Sequence, residues 1–203
     1  MRLIISQMLY ALGDRALVPA RWPNDGWASI DRVIDAGSVP RNAEDDIPLA
    51  QRSHEAARGG TFTPKDRTRL AGWSEPGTWM HGYWNWDWSD EQLPVAKVDV
   101  AAGTVTLGMP HRYGLAQRGR FRVNNCLSEL DAPGEYYLDR KTGVLTLYPP
   151  AGFGEKSEVI VSVLNDVLVA MEGCSHVRLR GVTLEATRTS GVYIERGEDN
   201  VIE

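Results

Sequence analysis

LVAMEGCSHVRLRGVTLEATRTSGVYIERGEDNV, residues 168–201, decides how this chain folds. Its apolar residues come in short alternating runs, and each run ends at a tight Gly- or Asn-containing corner. Alternation is a strand signature, because successive side chains leave a strand on opposite faces. The stretch also repeats itself. LVAMEGCSHV (168–177) aligns with VYIERGEDNV (192–201) at an offset of 24, which sets Leu168 on Val192, Gly173 on Gly197 and Val177 on Val201. Between the copies Val177 and Leu179 share a face, and Val182 and Leu184 follow the Gly181 bend. One coil of a parallel β-helix uses a little over twenty residues for three short strands and their turns, so the offset predicts stacked coils. An antiparallel meander is the competing reading, but the segments are separated by single bends rather than by two-residue hairpin turns. A coil buries its inward face on its neighbours, and about three are needed for stability. Barely two are present, so the sequence predicts further coils outside this chain.

Upstream, the rhythm changes to hairpins. VAKVDV–AAG–TVTLG (95–108) is one signal, and EYYLDR–KTG–VLTLYPP (135–150) is the clearest. In the latter, Val144, Thr146 and Tyr148 fall on one face and Leu145 and Leu147 on the other. RALVPARW (15–22) follows Leu12-Gly13-Asp14, so the first twenty-two residues read as a further hairpin, closed by Pro23-Asn24-Asp25-Gly26. One short helix is expected, with Thr63 as its cap, Pro64 at the first turn and Gly72 at its end. Residues 36–60 read as a long polar loop with a helical turn around Ser53 to Arg58. The acidic run Glu44-Asp45-Asp46 within it reads as a solvated loop, with calcium binding as the lesser alternative.

Twenty glycines and seven tryptophans among 203 residues suit a turn-rich, all-β protein with aromatic packing. The net charge of −5 and the lack of a basic stripe argue against nucleic acid or an anionic membrane as partner. The two cysteines, Cys126 and Cys174, have no second Cys or His at metal spacing and read as small buried hydrophobes. MRLIISQMLYALG at the start mimics a secretory leader, but Ser6 and Gln7 interrupt the apolar run, and a strand is the better reading.

Several stretches resemble the module inserted into right-handed parallel β-helix glycosidases of glycoside hydrolase family one hundred and forty-one. They are ARWPNDGW (20–27), DRTRLAGW (66–73) leading to WMHGYWNWDWSD (79–90), HRYGL (111–115), and RFRVNNCLSELDAPGEYYLDRKTGVLTLYPP (120–150). The resemblance implies a β-sandwich-like inserted module over residues 1–155 and incomplete coils of a right-handed parallel β-helix, the pectin-lyase-like fold, over 158–203. It also implies a secreted or periplasmic carbohydrate-active enzyme acting on a polysaccharide or oligosaccharide, without a cofactor or a metal. Such an enzyme cleaves with two carboxylates, which the family pattern places beyond Glu203. No catalytic residue is therefore assigned here, and the isolated chain is expected to be inactive. A polysaccharide lyase on the same fold, a non-catalytic carbohydrate-binding module and a structural insert are the alternatives.

GYWNWDW (82–88) is the richest candidate for sugar contact. If it is a strand, Trp84, Trp86 and Trp88 form one ridge and Tyr83, Asn85 and Asp87 the other. The tryptophan ridge reads either as a sugar platform, its ring faces stacking on pyranose C–H groups, or as a core face; large aromatics favour burial, so the tryptophans are expected in the core and the opposite ridge in water. Tyr83 and Asp87, with His81 and His111 from the family-like stretches, are the predicted substrate contacts. Glu129, Asp131 and Asp139 stand beside turns, where carboxylates accept backbone N–H groups.

Overall fold

The computed structural model describes residues 2–5, 15–39 and 57–203. The acidic run at 44–46, His54 and most of the expected helical turn beside it lie outside the described residues. Strands β1 (Arg2–Ile5), β2 (Arg15–Ala16) and β3 (Val18–Pro19) come first. Next come β4 (Arg21–Trp22), β5 (Ala28–Asp35), β6 (Thr61–Pro64), β7 (Trp79–Tyr83), β8 (Asp90–Asp99), β9 (Thr104–Leu107), β10 (Arg120–Asn124), β11 (Glu135–Leu138) and β12 (Leu145–Leu147). The chain ends with β13 (Glu158–Val161), β14 (Val169–Glu172), β15 (Arg178–Leu179), β16 (Val192–Glu195) and β17 (Val201–Ile202). Among the described residues no helix is long and apolar enough to cross a membrane.

Contacts divide the chain into two units. Pro19–Tyr148 forms one, and Met1–Val18 with Pro149–Glu203 forms the other. The first is thus a continuous insertion into the second.

In the insertion, antiparallel ladders join β10, β5, β6, β9, β8 and β7 in that order, and β7 returns to pair with β10. The result is a closed six-stranded barrel in place of the two packed sheets of the expected sandwich. Two long strands make closure possible. β8 pairs with β7 through Asp90–Pro94 and with β9 through Val95–Asp99, with a register shift between Val95 and Lys97. β5 serves β10 and β6 in the same way, with shifts after Ile30 and Val33. Such irregularities bend a strand and increase its twist, which lets one strand belong to both sides of a curved sheet.

Alternate residues point inward: Met80 on β7, Val105 and Leu107 on β9, Phe121 and Val123 on β10, all buried. Phe62, Trp73 and Trp84 complete the aromatic centre. The Trp84 ring stacks on Phe121 with centroids 6.0 Å apart, and Phe62 meets Phe121 edge-on at 5.2 Å. Gly82 makes room for it, since a Cβ there would lie 2.7 Å from the Trp84 ring. Each large aromatic withdraws roughly 150–250 Å² from water, about 4–6 kcal/mol of gross transfer energy before entropy is subtracted.

The β8–β9 and β11–β12 hairpins form where their turn residues predict. The expected helix at 63–72 does not. Thr63 and Pro64 are strand residues, and Asp66 Oδ1 accepts the Thr68 N–H at 2.9 Å. This Asx turn and a single 3-10 turn at Gly72–Ser74 carry the chain to β7.

In the flanking unit the pairing is parallel. β1 lies between β13 and β2, with Leu3 opposite both Val159 and Arg15. Among the described residues β1 and β2 therefore pair in parallel and not as the expected hairpin, and the principal partner of β1 lies far along the sequence. β14 pairs in parallel with β16, Val169 opposite Val192, and β15 with β17, Arg178 opposite Val201. These registers correspond to an offset of 23 (192 − 169, and 201 − 178), one less than the glycine match indicates. Gly197 consequently sits on Cys174, not on Gly173, and a Cβ there would lie 1.8 Å from the Cys174 carbonyl oxygen. Asn200 fixes this corner: its Nδ2 donates to Cys174 O at 2.9 Å and its Oδ1 accepts the Val177 N–H at 3.1 Å.

Candidate functional site

The outward positions of the barrel form a continuous polar and aromatic strip. On β7 these are Trp79, His81 and Tyr83, and on β10 Arg120, Arg122 and Asn124. The register sets Arg120 opposite Tyr83, Arg122 opposite His81 and Asn124 opposite Trp79. On the other side of β7, Asp90 lies opposite Tyr83, and its Oδ2 is 2.7 Å from His81 Nε2. Trp27, just before β5, presents its ring edge-on to both His81 (5.4 Å) and Tyr83 (5.2 Å). The Arg120 guanidinium lies over the Tyr83 ring at 4.3 Å, and that of Arg122 over Trp27 at 4.6 Å. Each such contact at a half-exposed site is worth about 0.5–1 kcal/mol, enough to hold a side chain in place.

The strip continues into the link between β7 and β8, residues 84–89. The strand ends at Tyr83, so the three tryptophans do not share one face as alternation predicts. Trp84 turns inward and donates its indole N–H to Glu91 O at 3.0 Å. Trp86 and Trp88 turn outward and are 42% and 68% exposed. Arg118 covers one face of Trp86 at 4.5 Å, while Trp88 and Tyr113 meet in a T-shaped contact at 5.2 Å. Asn85 braces the link by donating to Tyr113 O at 2.6 Å, and Arg118 Nε donates to Asn85 O at 2.9 Å. Asp87 accepts from Arg120 and so joins the link to the strand face.

Of the predicted contacts, His81, Tyr83 and Asp87 come together on this strip. His111 lies elsewhere. It is buried, its Nδ1 accepts the Tyr113 N–H at 3.2 Å and stands 3.0 Å from Gly114 O, and its Nε2 has no hydrogen-bond partner, with Glu91 Oε2 3.7 Å away. That geometry holds the turn at 111–114 and offers no exposed atom. Trp86 and Trp88, expected in the core, are instead exposed, and Trp27, Arg120 and Arg122 were not singled out in the sequence. The available signal was RFRV (120–123), where charged and apolar residues alternate.

The buried carboxylates are saturated. Glu129 accepts the Trp73 indole N–H at 2.9 Å and pairs with Arg69, which also reaches Asp131 Oδ2 at 3.2 Å. Glu135 accepts the N–H groups of Asp131 and Ala132 at 3.1 and 3.0 Å and that of Arg21 at 3.3 Å. Burial nevertheless pushes its pKa above the ordinary glutamate value. Asp139 ties its own turn, accepting from the Thr142 hydroxyl and the Lys141 N–H, and these bonds hold its pKa low. Beside Arg69, Gly72, Ser128 and Glu129 is a shallow, open depression of about 190 Å³, below the range of most small-molecule sites. Burial pushes the Cys126 thiol up to about 11, which leaves it protonated and unreactive at neutral pH. Among the described residues no three His, Cys, Asp or Glu side chains gather to hold a metal ion.

No family model, no curated protein and no solved structure matches this chain.

Proposed function

We propose that the barrel is a glycan-contacting module of a secreted carbohydrate-active protein, and that the parallel-strand unit belongs to a right-handed β-helix of the glycoside hydrolase family one hundred and forty-one type. The barrel contacts the glycan through its own outer face. The observation that carries this reading is the outward turn of Trp86 and Trp88. A tryptophan that is 68% exposed, in T-shaped contact with Tyr113, offers ring surface to water, the kind of surface on which the C–H groups of a pyranose stack. Asp87, Asn85 and Arg118 stand beside it with the acceptors and donors that sugar hydroxyls require.

The reading shifts weight within the predicted contacts. Tyr83 is already covered by Arg120, so Trp88 becomes the principal platform and Tyr83 a flank. The chain by itself does no chemistry, because its buried carboxylates are spent on turns and on Arg69. Titration of the chain with a panel of neutral oligosaccharides tests this. Trp88→Ala is expected to weaken binding about tenfold or more, the equivalent of about 1.4 kcal/mol, and Tyr83→Ala to weaken it less. Hydrolysis of any bound oligosaccharide by the isolated chain would contradict the assignment. So would a Trp88→Ala variant that binds as the parent does. Binding to no glycan at all would leave a structural insert.

A further inference from the structure

Two arginines on the same outer face have guanidinium groups with no carboxylate partner among the described residues. Arg21 lies opposite Asn124 across the β4–β10 ladder, one same-face step from Arg122. Arg122 uses Nε to donate to Gly26 O at 2.7 Å and rests on Trp27, leaving the outer edge of its guanidinium without an acceptor among the described residues. Arg21 uses Nη2 on Asn24 O at 2.8 Å, while its Nε is buried without any partner. Neither arginine forms an ion pair among the described residues. By contrast, Arg120, Arg69 and Arg67 each pair with a carboxylate. Burial and the charge of Arg21 lower the Arg122 pKa, against a smaller opposing effect of Asp25. Two like charges held together and partly withdrawn from water cost free energy unless an anion joins them.

We propose that Arg21 and Arg122 form an anion site on the glycan-contacting face, taking the carboxylate or sulfate ester of an acidic sugar. This rests on the glycan reading above and names its substrate class. A planar guanidinium presents paired N–H donors that match a carboxylate or sulfate. Trp27, held under Arg122, provides an apolar neighbour for the sugar ring. Trp88 contributes stacking without regard to charge, and the arginines contribute the preference for an acidic residue.

The test is a titration of the full chain with uronic-acid oligomers, their methyl esters, sulfated oligomers of matched length and inorganic sulfate. The parent is expected to bind an acidic oligomer at least tenfold more tightly than the ester. Arg122→Gln should remove that preference, bringing the ratio of acid to ester affinity down to about one. Arg122→Lys keeps the charge, loses the fork and should restore only part of it. Whether carboxylated or sulfated oligomers bind more tightly identifies the anion. Equal binding of acid and ester by the parent overturns the anion site and leaves the glycan reading standing. Binding of free sulfate alone overturns the acidic-glycan class, and no binding of any probe overturns both. A thermal midpoint like that of the parent confirms that each variant is folded.

Discussion

The barrel and the parallel-strand unit are both written in alternating residues, yet they handle their apolar side chains differently. The barrel encloses Ile30, Phe62, Trp73, Met80, Trp84, Phe121 and their neighbours almost completely. In the other unit, Leu17 and Met171 are the buried hydrophobics among the described residues, while Val159, Val161, Val163, Val182, Tyr193 and Ile194 are exposed. A closed ring makes an inside from its own strands. A parallel ladder only makes a surface, and that surface must be covered by stacking. Alternation therefore specifies a strand, and the connectivity decides whether its apolar side is dry.

The sharpest test of this contrast is a pair of truncations. Trp84→Ala removes a fully buried ring from the barrel centre and should cost about 3–5 kcal/mol in urea denaturation. Val163→Ala, at an exposed position of the other unit, should stay within about 0.5 kcal/mol. Comparable costs would end the distinction. A smaller effect is expected from Gly197→Ala, which drives a methyl group into the Cys174 carbonyl and should cost about 1–3 kcal/mol. Hydrogen exchange should report it as faster exchange in β14 and β16, with barrel amides unchanged.

The smallest effect concerns pH and belongs to the barrel alone. Burial raises the pKa of Glu135 in the folded chain above its unfolded value, so folding favours the protonated form. Its contribution is complete below the unfolded pKa and is lost as pH rises through the folded one. Thermal midpoints measured from pH 4 upward should show the parent losing ground to Glu135→Gln as the pH rises. Asp35, Asp66, Asp99 and Asp139, whose pKa values are lowered by hydrogen bonds, act in the opposite direction and lose their contribution as pH falls. The parent-minus-variant difference isolates Glu135, because those four are present in both proteins. A difference that grows with pH would refute the assignment.

The parts of this fold that local chemistry dictates could be read from the sequence. Asp139-Arg140-Lys141-Thr142-Gly143 announces its hairpin because the aspartate side chain and the left-handed glycine build the turn from neighbours in sequence. β1 was legible as a strand but its pairing was not, since its partners are fixed by the path of the whole chain. The repeat was visible but out of step by one, because two glycines were aligned where the stacked corner sets a glycine on a cysteine. At the candidate site, the outward placement of His81 and Tyr83 follows from alternation within β7. Alternation stops where the strand does, so Trp86 and Trp88 escaped it. Arg120 and Arg122 were hidden for another reason: their significance arises across strands, from Tyr83 and Trp27, which sit far from them in sequence.

Ring closure also bears on how this molecule can acquire or change partners. Each of the six staves is hydrogen-bonded to neighbours on both flanks, so a visiting peptide finds little backbone edge to extend. Recognition must then be spelled out in side-chain tips, at sites such as 27, 83, 120 and 122, whose exchange leaves the interior packing untouched. Selection can rewrite those letters one at a time while the scaffold that displays them stays put.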